Sequence, residues 1–322
     1  MAGMRILIAP DSFKGTFTAA EVADLIAEGV RGAGGRPVHL PLADGGEGAL
    51  DVLAGALGAE LIDVETVDPW HRPIAAQLAL AGETAIVELA RASGLHHGPG
   101  DPVRASTYGT GVLIAAAIDR GAREVLVAAG GSATTDGGTD AVRAITERGG
   151  VRGARLTVLC DVTTAFVDAA TVFGPQKGAG PEQVKQLTER LDEQAASFPR
   201  DPRGVARTGA AGGFSGGMWA HFDAELADGA ARVLDVLGFD ALLTDVDAVV
   251  VGEGRLDGQT AQGKIIDAVL HRVHGRLPVI AVVGSVGDDL GAYAERFAEI
   301  IVASDADALR RAGGRVAEFT SR

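Results

Sequence analysis

The sequence predicts an α/β protein built from two different α/β domains. Three observations carry that expectation. Short apolar runs recur along the chain, each followed by glycine and polar residues. Stretches of helical periodicity fill many of the gaps, and strands alternating with helices point to parallel sheets. One stretch, 61–89, breaks the alternation with three strand candidates and almost no room for helices.

The elements follow in order. Strands are expected over 5–9 and 38–42, separated by a helix over 19–32. Thr18 followed by Glu21 reads as the capping box that starts this helix. A second helix is expected over 48–57. The meander comes next, with strands over 61–67, 74–80 and 84–89, turned at Asp68-Pro69 and Ala81-Gly82. A helix over 110–120 leads to strands over 124–129 and 156–160. Pro181 after Gly180 starts a helix over 182–195. Helices over 223–237, 264–273 and 290–297 alternate with strands over 248–251, 279–283 and 299–302. These runs are continuously apolar, as in strands buried on both faces. The last three strands can rejoin the first sheet. The expected division is therefore a discontinuous domain, 1–60 with 240–322, and an inserted domain, 61–239. The segment Phe198–Gly204 (FPRDPRG) is the most linker-like in the chain.

Composition narrows the function. The 322 residues suffice for two domains. The net charge of −14 shows no basic face, which argues against nucleic acid. Cys160 is the only cysteine, so an intrachain disulfide framework and a cysteine-rich metal site are excluded. No apolar run approaches membrane-spanning length, and the N-terminal run meets Asp11 and Lys14 too soon for a signal peptide. A soluble, cytoplasmic protein without membrane contact is expected; homo-oligomers are left open. Forty-six glycines are about twice the usual share. Only four of the 29 basic residues are lysines, and Lys14, Lys177 and Lys264 each adjoin a glycine. A flexible point charge beside mobile backbone suits phosphate.

The glycines gather in loops after predicted strands, where ligands bind in open α/β sheets. Pro10–Gly15 offers Asp11, Ser12 and Lys14 at a helix start, an arrangement that suits an anion or a plain capped turn. Ala43–Gly48 brackets a glycine pair with Asp44 and Glu47, which could cap a helix or hold Mg²⁺. Gly130–Gly138 carries Ser132, Thr134, Thr135 and Asp136 between two glycine pairs, a candidate phosphate nest. Phe173–Gly180 carries Lys177. Gly209–Gly217 has no charge, and packing explains it as well as a pocket wall does. Val251–Gly258 carries Glu253, Arg255 and Asp257.

Two nucleotide motifs are absent. Gly258 to Lys264 fits GxxxxGK, but Ile265 stands where a P-loop needs Ser or Thr. Gly252, Gly254 and Gly258 miss the dinucleotide spacing, which argues against a nicotinamide enzyme. The seven histidines show no paired-ligand spacing, and no GxSxG elbow is present. Acids for Mg²⁺ with lysines and amides for phosphate are the parts of phosphoryl transfer. The residues thus point to a Mg-nucleotide-dependent kinase of a small anionic substrate.

At these loops the sequence resembles the type I glycerate kinase family. The matching stretches are IAPDSFKG, PLADGGEG, VELARASGL, STYGTG, GGSATTDGG, VFGPQKGA, GAAGGFSGG and GEGRLDGQT, in order from residue 8 to residue 260. The resemblance implies a Rossmann-like domain beside a second, mixed-sheet α/β domain, with the active site in the cleft between them. It implies phosphorylation of D-glycerate by ATP with Mg²⁺, usually at the 2-hydroxyl. Some features depart from the family pattern. Thr135 stands where Asn is expected and Gly258 where Ser is common, and the segments 138–160 and 161–173 are short.

The residues then take these expected roles. Lys14, Asp161, Lys177 and Asp257 are the catalytic candidates. Asp11, Ser12, Ser132, Thr134, Arg255 and Lys264 bind substrate or phosphate. Asp44, Glu47 and Asp136 hold Mg²⁺. Asp11, Asp44, Asp136, Asp161, Glu253 and Asp257 are all candidates for the base, and Asp161 or Asp257 is expected to orient or deprotonate the attacking hydroxyl. Two alternatives stand beside this reading: a kinase of another small 2-hydroxy acid, and a non-catalytic binding relative.

Overall fold

The structure, a computed structural model, describes residues 3–258, 265–288 and 290–320. Its strands in chain order are β1 Arg5–Pro10, β2 Arg36–His39, β3 Glu60–Val67, β4 Pro73–Ala81, β5 Thr84–Glu88, β6 Glu124–Ala128, β7 Arg155–Cys160, β8 Glu225–Asp228, β9 Ala248–Leu256, β10 Val279–Val286 and β11 Glu299–Val302. The chain is α/β and forms two compact units, Met1–Asp44 with Ala230–Arg322, and Gly45–Gly229.

The first unit holds a parallel sheet of order β11-β10-β9-β1-β2. Alternate residues of its strands feed two cores, as the period-two geometry of a strand requires. Ile6, Ile8, Val250, Ile280 and Val282 meet the helices Ala19–Gly32 and Ala306–Thr320. Leu7, Ala9, Val249, Val251 and Ala281 meet the helices Gly229–Val236 and Ile265–Val273. Burial on both faces is why these strands read as unbroken apolar runs. The first helix starts at the capping box: the Glu21 N–H donates to Thr18 Oγ1 at 3.2 Å, and the Thr18 N–H to Glu21 Oε2 at 2.8 Å. The helices Ala19–Gly32 and Ala306–Thr320 pack closely through glycine. A Cβ on Gly29 would stand 1.8 Å from the Arg310 carbonyl oxygen, and one on Gly313 2.0 Å from that of Ile26.

The second unit holds a mixed sheet of order β3-β4-β5-β6-β7-β8. β3, β4 and β5 form the antiparallel meander, and β5 to β8 run parallel. The apolar helix Tyr108–Asp119, buried from Gly109 to Ile118, packs on the sheet within a core that also holds Phe214 and Met218. The segment 198–204 belongs to this unit.

Several elements differ from expectation. The chain enters the second unit at Gly45 rather than near residue 61, because the helix Ala49–Leu57 packs on β4 and β5. It leaves at Gly229 rather than at 239, since Ala230 and Leu234 belong to a core of the first unit. β2 lies over Arg36–His39, earlier than the apolar run at 38–42. The expected helix over 223–237 is a strand, β8, followed by the helix Gly229–Val236. The segment at 290–297 forms a 3₁₀ helix, Gly291–Arg296. The helices Thr139–Glu147, Phe214–Phe222 and Ala306–Thr320 were not foreseen. Among the described residues no helix is long and apolar enough to cross a membrane.

Candidate active site

In the first unit the chain leaves β1 for β2 on one side and later returns to β9 on the other. The strand order therefore reverses between β1 and β9. Loops diverge at such a point and leave a crevice beyond the carboxyl ends of the strands. A pocket of about 430 Å³ lies there, lined by Asp11, Lys14, Asp44, Glu253, Arg255 and Asp257 among others. β1 ends at Pro10, and the Asp11 N–H donates to the Gly252 carbonyl at 2.8 Å, fixing the two strand ends together. Gly284 allows close approach, since a Cβ there would meet the Gly254 carbonyl oxygen at 2.6 Å.

The pocket is crowded with acids. Burial, then the charge of Asp44 and to a lesser degree that of Glu253, pushes the Asp11 carboxyl up to about 7. The Ser12 N–H, donating to Asp11 Oδ1 at 2.6 Å, and the Lys14 charge act the other way. Arg255 Nε lies 3.4 Å from Asp257 Oδ2. Among the described residues no three acids, histidines or cysteines converge on a metal-sized point. Mg²⁺ usually takes only one or two carboxylates and fills its shell with water and phosphate oxygens. Mutually repelling acids beside a lysine suit that donor set.

The second unit places another group of expected site residues together. At the carboxyl end of β6 the Gly-rich loop begins, and only its first glycines reach the surface. Ser132, Thr134 and Asp136 are at most 6% exposed. The Ser132 and Thr134 hydroxyls bond each other at 2.9 Å. Asp136 Oδ2 accepts from the Thr107 N–H and hydroxyl, both at 2.8 Å, and Oδ1 from the Gly138 N–H at 3.1 Å. Burial raises the Asp136 carboxyl, and the Thr107 bonds oppose it. Three consecutive carbonyls are gripped from outside. Lys177 Nζ donates to Thr134 O at 2.5 Å, Arg190 Nη2 to Thr135 O at 2.5 Å, and Gln194 Nε2 to Asp136 O at 3.2 Å. Burial pushes the Lys177 ammonium down to about 7, with Asp136 opposing. Gly212 packs beneath, where a Cβ would stand 2.0 Å from Thr134 O. Glu47 is exposed and lies beside Gly131, whose Cβ would be 3.9 Å from Glu47 Oε2.

The sequence profile of the glycerate kinase family matches residues 6–152 and 146–312. This chain belongs to the glycerate kinase family. It is 35% identical to a glycerate kinase of Bacillus subtilis, over 90% of this chain and 87% of that one. It is 33% identical to the glycerate 2-kinase of Escherichia coli, over 89% and 87%. A solved structure from Salmonella typhimurium LT2, assigned as glycerate kinase 2, superposes with a TM-score of 0.86 at 31% identity, covering 99% of this chain and 98% of that one. As a glycerate kinase family member the chain is a phosphotransferase with an alcohol acceptor. The Bacillus alignment spans 335 positions, more than the 322 residues here, so that relative carries residues with no counterpart in this chain.

In this glycerate kinase family member, Asp11, Ser12, Lys14, Asp44, Arg255 and Asp257 share one pocket. Thr134 and Asp136 are buried and hydrogen-bonded within the second unit, outside that pocket lining. Ser132 shares that internal bonding, and the Lys177 ammonium is engaged by a backbone carbonyl rather than presented to a ligand. Asp161 is exposed just beyond β7. Lys264 lies outside the described residues. Cys160 is buried, and burial pushes its thiol up to about 12, so it is no nucleophile. Sequence reasoning missed Ser285 and Ser304 of the pocket wall, and held Glu253 only among the candidates for the base. The signal for the serines was weak: each is a lone hydroxyl at the end of a strand.

Proposed function

We propose that the protein transfers a phosphoryl group from ATP, with Mg²⁺, to the 2-hydroxyl of D-glycerate. The observation that carries this reading is the pocket at the β1–β9 reversal, which gathers Asp11, Asp44, Glu253 and Asp257 around Lys14 in a chain of the glycerate kinase family. The 33% identity to a glycerate 2-kinase supports the position of attack.

Phosphoryl transfer depends on positioning and charge stabilisation, and this pocket offers both. Lys14, exposed after β1, neutralises the transferring phosphoryl group or the substrate carboxylate. Asp44 and Glu47 would hold Mg²⁺, which supplies charge neutralisation of phosphate oxygens. Asp257 accepts the hydroxyl proton. Of the two acids expected for that task, it is the one that shares the pocket with Lys14. Arg255 Nε, 3.4 Å from its Oδ2, orients it.

The test is ADP release with MgATP and D-glycerate, with the product identified by phosphorus NMR. A 2-phosphoglycerate signal is the expected result. A 3-phosphoglycerate signal overturns the position of attack. Turnover of only another 2-hydroxy acid overturns the substrate, and no turnover at all overturns the kinase reading.

A further inference from the structure

Glu88 ends β5, a strand paired on both sides, and its side chain is 3% exposed. A buried carboxylate is costly unless hydrogen bonds and charge compensate it. Here Oε2 accepts from the N–H groups of Gly48 at 3.0 Å and Leu50 at 3.1 Å, the opening turn of the helix Ala49–Leu57. Oε1 faces Arg91 Nε at 3.6 Å, and Arg91 also bonds Asp51 at 2.6 Å.

A local cap would normally do this work. Gly48 sits at the N-cap with a φ of 88°, a conformation that excludes the usual Ser or Asp. The remote carboxylate replaces it and places negative charge at the positive end of the helix. Gly48 follows Glu47. On the other flank Gly46 packs against Gly130, where a Cβ would meet Gly46 Cα at 2.5 Å. Glu47 is thus the exposed residue of a loop fixed on both sides, at Gly46 by close packing and at Gly48 by Glu88.

We propose that Glu88 is a positioning residue that holds the Glu47 carboxylate where the reaction uses it. The inference rests on Glu47 acting in the site as assigned above. Glu88 touches no substrate; it acts through the Gly48 and Leu50 amides.

The experiment is a double-mutant cycle on the full-length protein with Glu47→Gln, Glu88→Gln and the pair. It reads kcat and KM with varied Mg²⁺, MgATP affinity by titration calorimetry, and Tm. Glu47→Gln should lower kcat roughly 100-fold, as loss of one charge-stabilising group does. Glu88→Gln should lower kcat about 10-fold or more and raise the Mg²⁺ requirement. The pair should be no worse than Glu47→Gln alone, because coupled residues are not additive. Glu88→Asp keeps the charge but withdraws the oxygens by one methylene; it should show the same kcat loss and serves if Glu88→Gln does not fold. Independent, multiplying losses overturn the positioning role, as does full activity of Glu88→Gln. Full activity and MgATP affinity of Glu47→Gln overturn the Glu47 assignment and this inference with it. Calorimetry reads the same cycle without turnover, so failure of D-glycerate as substrate is separable from failure of positioning.

Discussion

Asp11 shows how one residue ties stability to the site. Its carboxyl is lifted from an ordinary 3.8 to about 7 by burial and by Asp44. The folded protein therefore holds that proton more tightly than the unfolded chain does. The stability this gives is fully present below about pH 4 and is lost as pH rises through about 7. Asp11→Asn should be more stable than the parent at pH 8, on the order of 2 kcal/mol after discounting for the open pocket. The gain should shrink toward zero near pH 4. Urea unfolding across that range in the presence of a chelator checks it, and a pH-independent difference would exclude the electrostatic origin. Lys14, exposed in the same pocket, should matter to chemistry rather than folding. Lys14→Ala should lower kcat by about 100-fold or more with Tm unchanged; near-normal turnover removes it from the site. At this scale the pocket acids were legible as residues of glycine-rich segments: Asp11 and Asp257 directly follow β1 and β9, and Asp44 comes a few residues after β2. It did not show that Ser132, Thr134, Asp136 and Lys177 bond to groups of their own unit. Hydroxyls, an acid and a lysine that satisfy one another inside a loop have the same composition as a set that awaits a ligand. Only the contacts from Thr107, and the packing of Gly212, tell them apart.

At the scale of elements, local signals worked where they were sufficient. The Thr18–Glu21 box begins its helix as its spacing requires. β1, β9 and β10 of the first sheet, apolar on both faces, read as strands from their runs alone, whereas β2, Arg36–His39, did not. β8 could not be read: Glu225–Asp228 is four residues long, with an acid at each end, and a strand only through its pairing with β7. The close packing of the helices Ala19–Gly32 and Ala306–Thr320 was equally silent, since a glycine in a helix does not announce what lies opposite. Gly29→Ala should cost roughly 2–3 kcal/mol, the scale of overpacking, because the new Cβ meets the Arg310 carbonyl. Gly32→Ala, with nothing within 4 Å, should be neutral or stabilise by up to about 1 kcal/mol. Urea midpoints of the two variants decide it; equal effects would deny the close contact.

At the scale of the molecule, each unit has its own large core. Phe239 is fully buried in the first unit and Phe214 in the second. Phe→Ala at either site should cost about 3–5 kcal/mol. Multidomain chains often unfold in more than one step. Scanning calorimetry should therefore resolve two components, with Phe239→Ala lowering one and Phe214→Ala the other. MgATP should raise the component that Phe239→Ala lowers, since ligand binding stabilises the unit that holds it. A single transition moved equally by both variants would show that the units unfold together. The two-part architecture was legible because an antiparallel meander inside an alternating chain marks the start of a second sheet. The crossings at residues 45 and 229 were not, because a helix gives no local sign of which sheet it will cover.

The order of the strands also sets a schedule for synthesis. β1 lies between β2 and β9, and the whole of Gly45–Gly229 separates β2 from β9 in the chain. At about 5–20 residues per second, the ribosome needs roughly 10–40 s to traverse that insertion. Through that interval Ile6, Leu7 and Ile8 have left the exit tunnel with one edge of their strand unmatched. The portion begun first is completed last. The nascent chain must keep an apolar strand out of wrong partnerships while the inserted unit acquires its own sheet, which makes β1 the natural stretch for a holding chaperone to occupy.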